Sequence, residues 1–172
     1  LPVTGIHVST DVVPLGDYPF AIYQWQYHGI RNDAEFQPVT SEPALTSEFF
    51  RLMPKAQGCE MAEHAVTTEM FAGLERQHYP LWSDARAAHV EQTLRVASFR
   101  SGSLKTSHKA RLAILNAQLD RAENDRIRTM KTAQKANAEA DYTRRLNEIE
   151  EATSKADLTA QAVGWGIIRV RG

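Results

Sequence analysis

The chain of 172 residues contains one cysteine, Cys59, and no proline after Pro80. A single thiol excludes an internal disulfide and a thiolate-based zinc site. Such sparing cysteine use fits a cytoplasmic protein. No apolar run approaches the roughly 18 residues that a membrane span needs. Neither GxxxxGK[ST] nor GxGxxG occurs, so the segment lacks a phosphate-cradling loop and is not expected to bind ATP. A 42% hydrophobic content with net charge −1 excludes a disordered composition. The sequence starts Leu1-Pro2 with no initiator Met and no secretory leader, and it closes on Gly172. Both ends read as strand edges, so the expectation is a piece of a longer protein.

The near-zero net charge conceals an asymmetry. Residues 1–66 carry a net −5 and residues 67–172 a net +4. Six of the seven prolines precede residue 55. Proline interrupts helices and marks turns and strand ends. The first third should therefore hold short strands and turns, and the remainder long helices.

Strand periodicity is clear early in the chain. Ile6 and Val8 alternate with His7 and Ser9. From Phe20 to Tyr27 the aromatics Tyr23, Trp25 and Tyr27 share one face, and Ile22, Gln24 and Gln26 the other. A loop with Gly29, Asn32 and Asp33 leads to a short strand near Phe36–Val39. Thr40 or Ser41 is the expected cap of a helix carrying Leu45, Phe49 and Leu52 on one face, ending near Pro54 or Gly58.

After residue 66 the apolar spacing becomes helical: Phe71, Leu74, His78, Leu81 or Trp82, Ala85 and Ala88, then Val96, Phe99 and Leu104. Leu112, Leu115, Leu119 and Ala122 follow at coiled-coil steps. Pro80 is expected to start or kink a helix, and Ser101-Gly102-Ser103 is a weak point costing ~1 kcal/mol for the glycine. The seam loses phase at Glu123-Asn124-Asp125, which predicts a reversal there. A second helix should run from Asp125 to Ala156 with Ile127, Met130, Gln134, Ala138, Tyr142, Leu146 (or Arg145), Ile149 and Ala152 as its stripe. A short connection between long helices makes them antiparallel neighbours. Ala162 to Val170 is β-rich, and the hairpin would return it to the N-terminal strands. The expected architecture is α+β. Both chain ends (residues 1–66 and 158–172) form a small sheet-containing base, and residues 67–157 form a long antiparallel helical hairpin, a coiled-coil arm, turning near 123–125.

Few residues point to catalysis. Cys59 lies near Glu60, Glu63 and His64, but a catalytic thiol needs a histidine partner and a metal needs three or four ligands. A buried or loop cysteine is the simpler reading, and no metal or cofactor is expected. His78 and His89 fall near seam positions and read as interface histidines with satisfied hydrogen bonds. Glu148, Glu150 and Glu151 read as a solvated face, because an exposed pair of helices offers no pocket to shift their pKa. The segment is not expected to be an enzyme.

The distal hairpin carries the strongest signal. Between Arg95 and Lys135 the net charge is +7, against five acidic and two basic residues over 139–151. Arg100, Lys105, Lys109, Arg111, Arg121, Arg126, Arg128, Lys131 and Lys135 are candidate contacts for nucleic-acid phosphates. The alternative is an ordinary solvated coiled-coil face. No aromatic cluster accompanies these charges, so sequence-specific base stacking is not expected.

Several stretches resemble a known family. They are Tyr79-Pro80-Leu81-Trp82 with Ala88-His89, Ser107-His108-Lys109-Ala110-Arg111, and Arg126-Ile127-Arg128-Thr129-Met130. Ala138 through Leu146, Ala156-Asp157-Leu158 and Val163-Gly164-Trp165-Gly166 extend the likeness. Together they resemble the C-terminal region of bacterial Swi/Snf-type, RapA-like superfamily-two helicases, across about residues 79–170. The family's ATPase motifs have no counterpart here, so no catalytic residue carries over. The resemblance implies a non-catalytic accessory module of an ATP-dependent translocase, which binds double-stranded nucleic acid without sequence preference or contacts the parent helicase lobes. The competing expectation is a protein-interaction module that docks a partner such as RNA polymerase or a phage-defence subunit, or that forms a homodimer.

Overall fold

The computed structural model describes residues 3–60 and 67–171. Strands β1 (Val3–Ser9), β2 (Gly16–His28) and β3 (Ala34–Thr40) are followed by helix α1 (Pro43–Leu52), a short 3-10 turn and strand β4 (Gln57–Gly58). Helices α2 (Thr68–Asp120) and α3 (Asp125–Ser154) precede strand β5 (Asp157–Arg171). The fold is α+β. The chain divides into two compact units.

The first unit holds residues 1–27, 33–87 and 158–172. Its sheet has the order β3-β2-β5-β1-β4. β5 runs parallel to β1, with Ile6 opposite Ile168 and Val8 opposite Val170. β3 is antiparallel to β2, with Phe20 opposite Thr40. The two ends of the chain thus share one sheet, and the last strand occupies its middle.

Period-two alternation along β2 decides what each face covers. Phe20 joins Val8, Leu45, Phe49, Leu52, Ile168 and Val170 in a core under α1. Ala21, Tyr23, Trp25 and Tyr27 point the other way, onto Leu74, Phe71, Trp82 and Ala85 of α2. The first turns of α2 therefore belong with the sheet, and the boundary between the two units falls at Ala87–Ala88. Trp82 is the inward residue and Leu81 is exposed. The Trp82 indole donates to the Leu158 carbonyl at 2.9 Å. On the α1 side, Gly166 leaves room for Phe20, because a Cβ there would stand 2.2 Å from the Thr4 carbonyl oxygen and 2.4 Å from the Phe20 ring.

Two local expectations are corrected. The N-cap of α1 is Glu42, with Pro43 in the first turn and no side-chain cap. Thr40 is instead buried against Thr46, hydroxyl to hydroxyl at 2.9 Å. Pro80 lies inside α2 and does not begin it. Its ring removes one backbone hydrogen bond, at an exposed position of the helix. The helix also continues through Gly102.

The second unit holds residues 28–32 and 88–157. Here the later part of α2 and α3 form an antiparallel pair, reversing over residues 121–124. Asn124 caps α3, its Oδ1 accepting the Arg126 N–H at 2.8 Å. At 1.5 Å per residue the 30 residues of α3 span about 45 Å. The seam of α2 is Ala97, Ser101, Leu104, His108, Leu112, Leu115 and Leu119, continued by Ala122 in the reversal, all buried or half-buried. Phe99 is not part of it and is 78% exposed. Two residues out of step with 97 and 101, it faces away. On α3, Ala138 is buried, and Tyr142 stacks on His108 with centroids 4.2 Å apart. Nearer the reversal, Lys131 and Lys135 replace Ile127, Met130 and Gln134 as the half-buried positions. Lysine stems cover apolar surface while their ammonium groups stay in water.

The segment 28–32 packs within this unit. The Gly29 N–H donates to Asn32 Oδ1 at 3.2 Å, and Asn32 Nδ2 donates to the Gly29 carbonyl at 2.9 Å. Gly29 has φ +118°, and a Cβ there would lie 3.0 Å from the Ala152 carbonyl oxygen. Position 29 therefore requires glycine on two grounds.

Candidate nucleic-acid interface

All nine basic residues singled out from the sequence lie in the second unit. Arg100, Lys105, Lys109 and Arg111 are exposed on α2, Arg121 in the reversal, and Arg126 and Arg128 on α3. Lys131 and Lys135 are half-buried along the seam.

Helical period distributes them. Arg100 and Arg111 are eleven residues apart, about three turns, so they share one flank of the α2 seam. Lys105 and Lys109 are one turn apart and lie on the opposite flank. The charge therefore surrounds the helix and does not form a single stripe. Arg128 is occupied differently: its Nη2 donates to the Ala122 carbonyl at 2.9 Å, tying the start of α3 to the reversal that follows α2. Lys131 Nζ donates to Gln134 Oε1 at 3.2 Å.

Pairing separates these charges from those further along α3. Arg144 bonds Asp141 at 2.7 Å and Glu148 at 2.6 Å, Arg145 meets Asp141 at 3.1 Å, and Lys155 meets Glu151 at 2.6 Å. The Arg144 hydrogen bond holds the Asp141 carboxyl below its usual range, and Lys155 does the same for Glu151. Among the described residues, none of the nine basic side chains forms an ion pair with a carboxylate. Their charge is left for solvent and counterions.

The other candidates are structural in character. His78 is buried in the first unit, where its Nε2 accepts the Trp25 indole N–H at 2.8 Å. Burial lowers its pKa to about 4. His89 is buried in the second unit, 2.9 Å from the His28 carbonyl. Cys59 is half-buried, and its backbone N–H bonds the Gly5 carbonyl at 2.9 Å. Glu63 and His64 lie outside the described residues. No group of three His, Cys, Asp or Glu side chains that could hold a metal ion occurs among the described residues. No helix among them is long and apolar enough to cross a membrane.

One feature escaped the sequence reading. The hairpin does carry clefts, and Glu148 borders two of them, with Glu151 on the second. These carboxylates are nonetheless tied to cations, and the Lys155 hydrogen bond and charge hold the Glu151 carboxyl below its usual range, so the acid–base reading gains nothing. The available signal was Phe99, whose position breaks the phase of its neighbours. A scan of protein-family models and a search of curated proteins find no match to this chain.

Proposed function

We propose that this chain is a non-catalytic accessory module of a bacterial ATP-dependent helicase or translocase. Its helical hairpin holds double-stranded nucleic acid through the phosphates without reading sequence. The observation that carries this reading is the unpaired charge: nine basic side chains lie between Arg100 and Lys135 without carboxylate partners among the described residues, while the acids and bases of 141–155 neutralise one another. Cations left uncompensated on a narrow hairpin displace the counterions condensed on a duplex, and binding then falls steeply with salt. Their spread over two flanks suits a backbone followed by position alone, since phosphate contacts fix register but carry no sequence information. The helicase context comes from the resemblance of residues 79–170 to RapA-like C-terminal regions. No catalytic role is assigned, and a cytoplasmic location follows from the same context.

Fluorescence anisotropy on an unrelated duplex, at low and at physiological salt, tests this reading. Binding with a negative slope of log affinity against log salt is expected. Glutamate at Lys105, Lys109, Arg111, Arg126 and Lys131 together should abolish it. No binding at low salt would sink the nucleic-acid assignment.

A second reading draws on the exposed Leu94, Phe99, Ile114, Ile127 and Met130 of the hairpin. Apolar side chains left in water on helical faces suit docking of a protein partner or a second copy of the chain. Sedimentation over a concentration series tests the homodimer. A monomer at every concentration would remove it.

A further inference from the structure

The flank of the hairpin that carries Arg100 is not smooth. Within the second unit it opens into a cleft of about 560 Å³, walled by Phe99, Arg100, Ser103 and Ser107 of α2 and by Arg145 and Ile149 of α3. That volume lies in the range of small-ligand sites. Phe99 is the most exposed large apolar side chain among the described residues, at 78%. A phenyl ring in water is unfavourable by about 25 cal/mol per Å² of apolar surface, and a flat partner laid on its face would remove that cost.

The polar groups around the ring have a consistent sign. Among the described residues Arg100 has no carboxylate partner. Arg145 meets Asp141 at 3.1 Å. The one carboxylate on the cleft wall, Glu148, is held by Arg144 at 2.6 Å. Ser103 and Ser107 are one helical turn apart and add two hydroxyl donors on the side of Arg100. A π face beside a guanidinium and hydroxyl donors complements a nucleotide, whose base stacks and whose phosphate accepts charged hydrogen bonds.

We propose that this cleft receives one unpaired nucleotide of a nucleic-acid strand, with the base on Phe99 and the phosphate at Arg100. The proposal rests on the nucleic-acid reading above and sharpens it. A paired base cannot offer its face to Phe99, so the cleft distinguishes a single strand, a frayed end or a displaced nucleotide from intact duplex.

The test compares single-stranded oligothymidylate with a blunt duplex of equal length on the full chain, by fluorescence anisotropy. Phe99→Ala is expected to weaken single-strand binding roughly five- to tenfold, as the loss of one stacked base does, and to leave duplex binding unchanged. Phe99→Trp should retain the single strand, and Arg100→Gln should weaken it. Because Phe99 lies outside the seam, these variants should melt at the wild-type temperature. Unchanged single-strand affinity in Phe99→Ala, or equal losses on both probes, would overturn the proposal. Thymidine monophosphate binding as tightly as the oligomer would also overturn it by assigning a soluble nucleotide. Duplex binding that survives those results would leave the broader reading standing. Wild-type chain that bound neither probe would sink both.

Discussion

The Trp25 indole N–H points at Nε2 of His78 across 2.8 Å, and that bond requires a neutral imidazole. The Tyr23 ring stacks on the same imidazole, parallel to His78 within 6° and with centroids 3.5 Å apart. Desolvation by burial lowers the His78 pKa from 6.5 to about 4. Between those values the unfolded chain binds a proton that the folded chain refuses, so stability falls as pH drops from about 6.5 toward 4. Above 6.5 the contribution is fully present. His78→Gln keeps an acceptor for the indole but cannot titrate. Its thermal denaturation should lose up to about 1.4 kcal/mol per pH unit of slope in that window. An unchanged slope would show that other groups set the acid sensitivity.

The Tyr23 hydroxyl is buried and has no hydrogen-bond partner among the described residues. Burial, then the negative charge of Glu75, raises its pKa to about 12, so it is neutral at all ordinary pH. Removing an unsatisfied polar group while keeping the ring is neutral or favourable. Tyr23→Phe should melt at or slightly above the wild-type temperature. A loss above about 1 kcal/mol would mean the hydroxyl has a partner that matters.

Arg128 is expected to act through the fold more than through phosphate. Arg128→Ala removes the donor to the Ala122 carbonyl and should cost about 1 kcal/mol in chemical denaturation. Arg128→Lys keeps the charge but loses the planar fork, and should recover only part of that. If Arg128→Ala weakened duplex binding without altering stability, the bond to Ala122 would be incidental.

Two glycines should resist substitution for different reasons. Gly166→Ala drives a methyl into the Thr4 carbonyl and the Phe20 ring in the middle of the sheet. Gly29→Ala meets both a left-handed backbone and the Ala152 carbonyl. Each should lose roughly 1–3 kcal/mol, whereas Gly102→Ala, with open space around it, should gain stability by up to about 1 kcal/mol. Melting temperatures of the three variants check the order.

Much of the architecture was legible because it follows from period. The alternation at Tyr23, Trp25 and Tyr27, and the 3-4 steps through Leu112, Leu115, Leu119 and Ala122, each admit one kind of element. What was not legible depended on tertiary partners. Pro80 sits in mid-helix at an exposed position, which no local rule states. Lys131 and Lys135 displaced Ile127 and Met130 because the facing helix determines which stem is covered. At the candidate interface, the identity of the basic residues could be read but their freedom from carboxylates could not, since pairing at i+3 and i+4 depends on rotamers. The structural duty of Arg128 was hidden for the same reason. Phe99 was misplaced in the seam by its hydrophobicity, although its phase argued against that position.

The placement of β5 has a consequence for biogenesis. With β1 on one side and β2 on the other, this strand is the keystone joining two otherwise separate antiparallel pairs. The inner edges of β1 and β2 stay without their shared neighbour until synthesis has passed β5. During translation those edges must wait, open, while well over a hundred intervening residues are made. Such long-range closure is slow and leaves sticky edges available to other chains. A nascent chain stalled in α3 would be the form most in need of a chaperone.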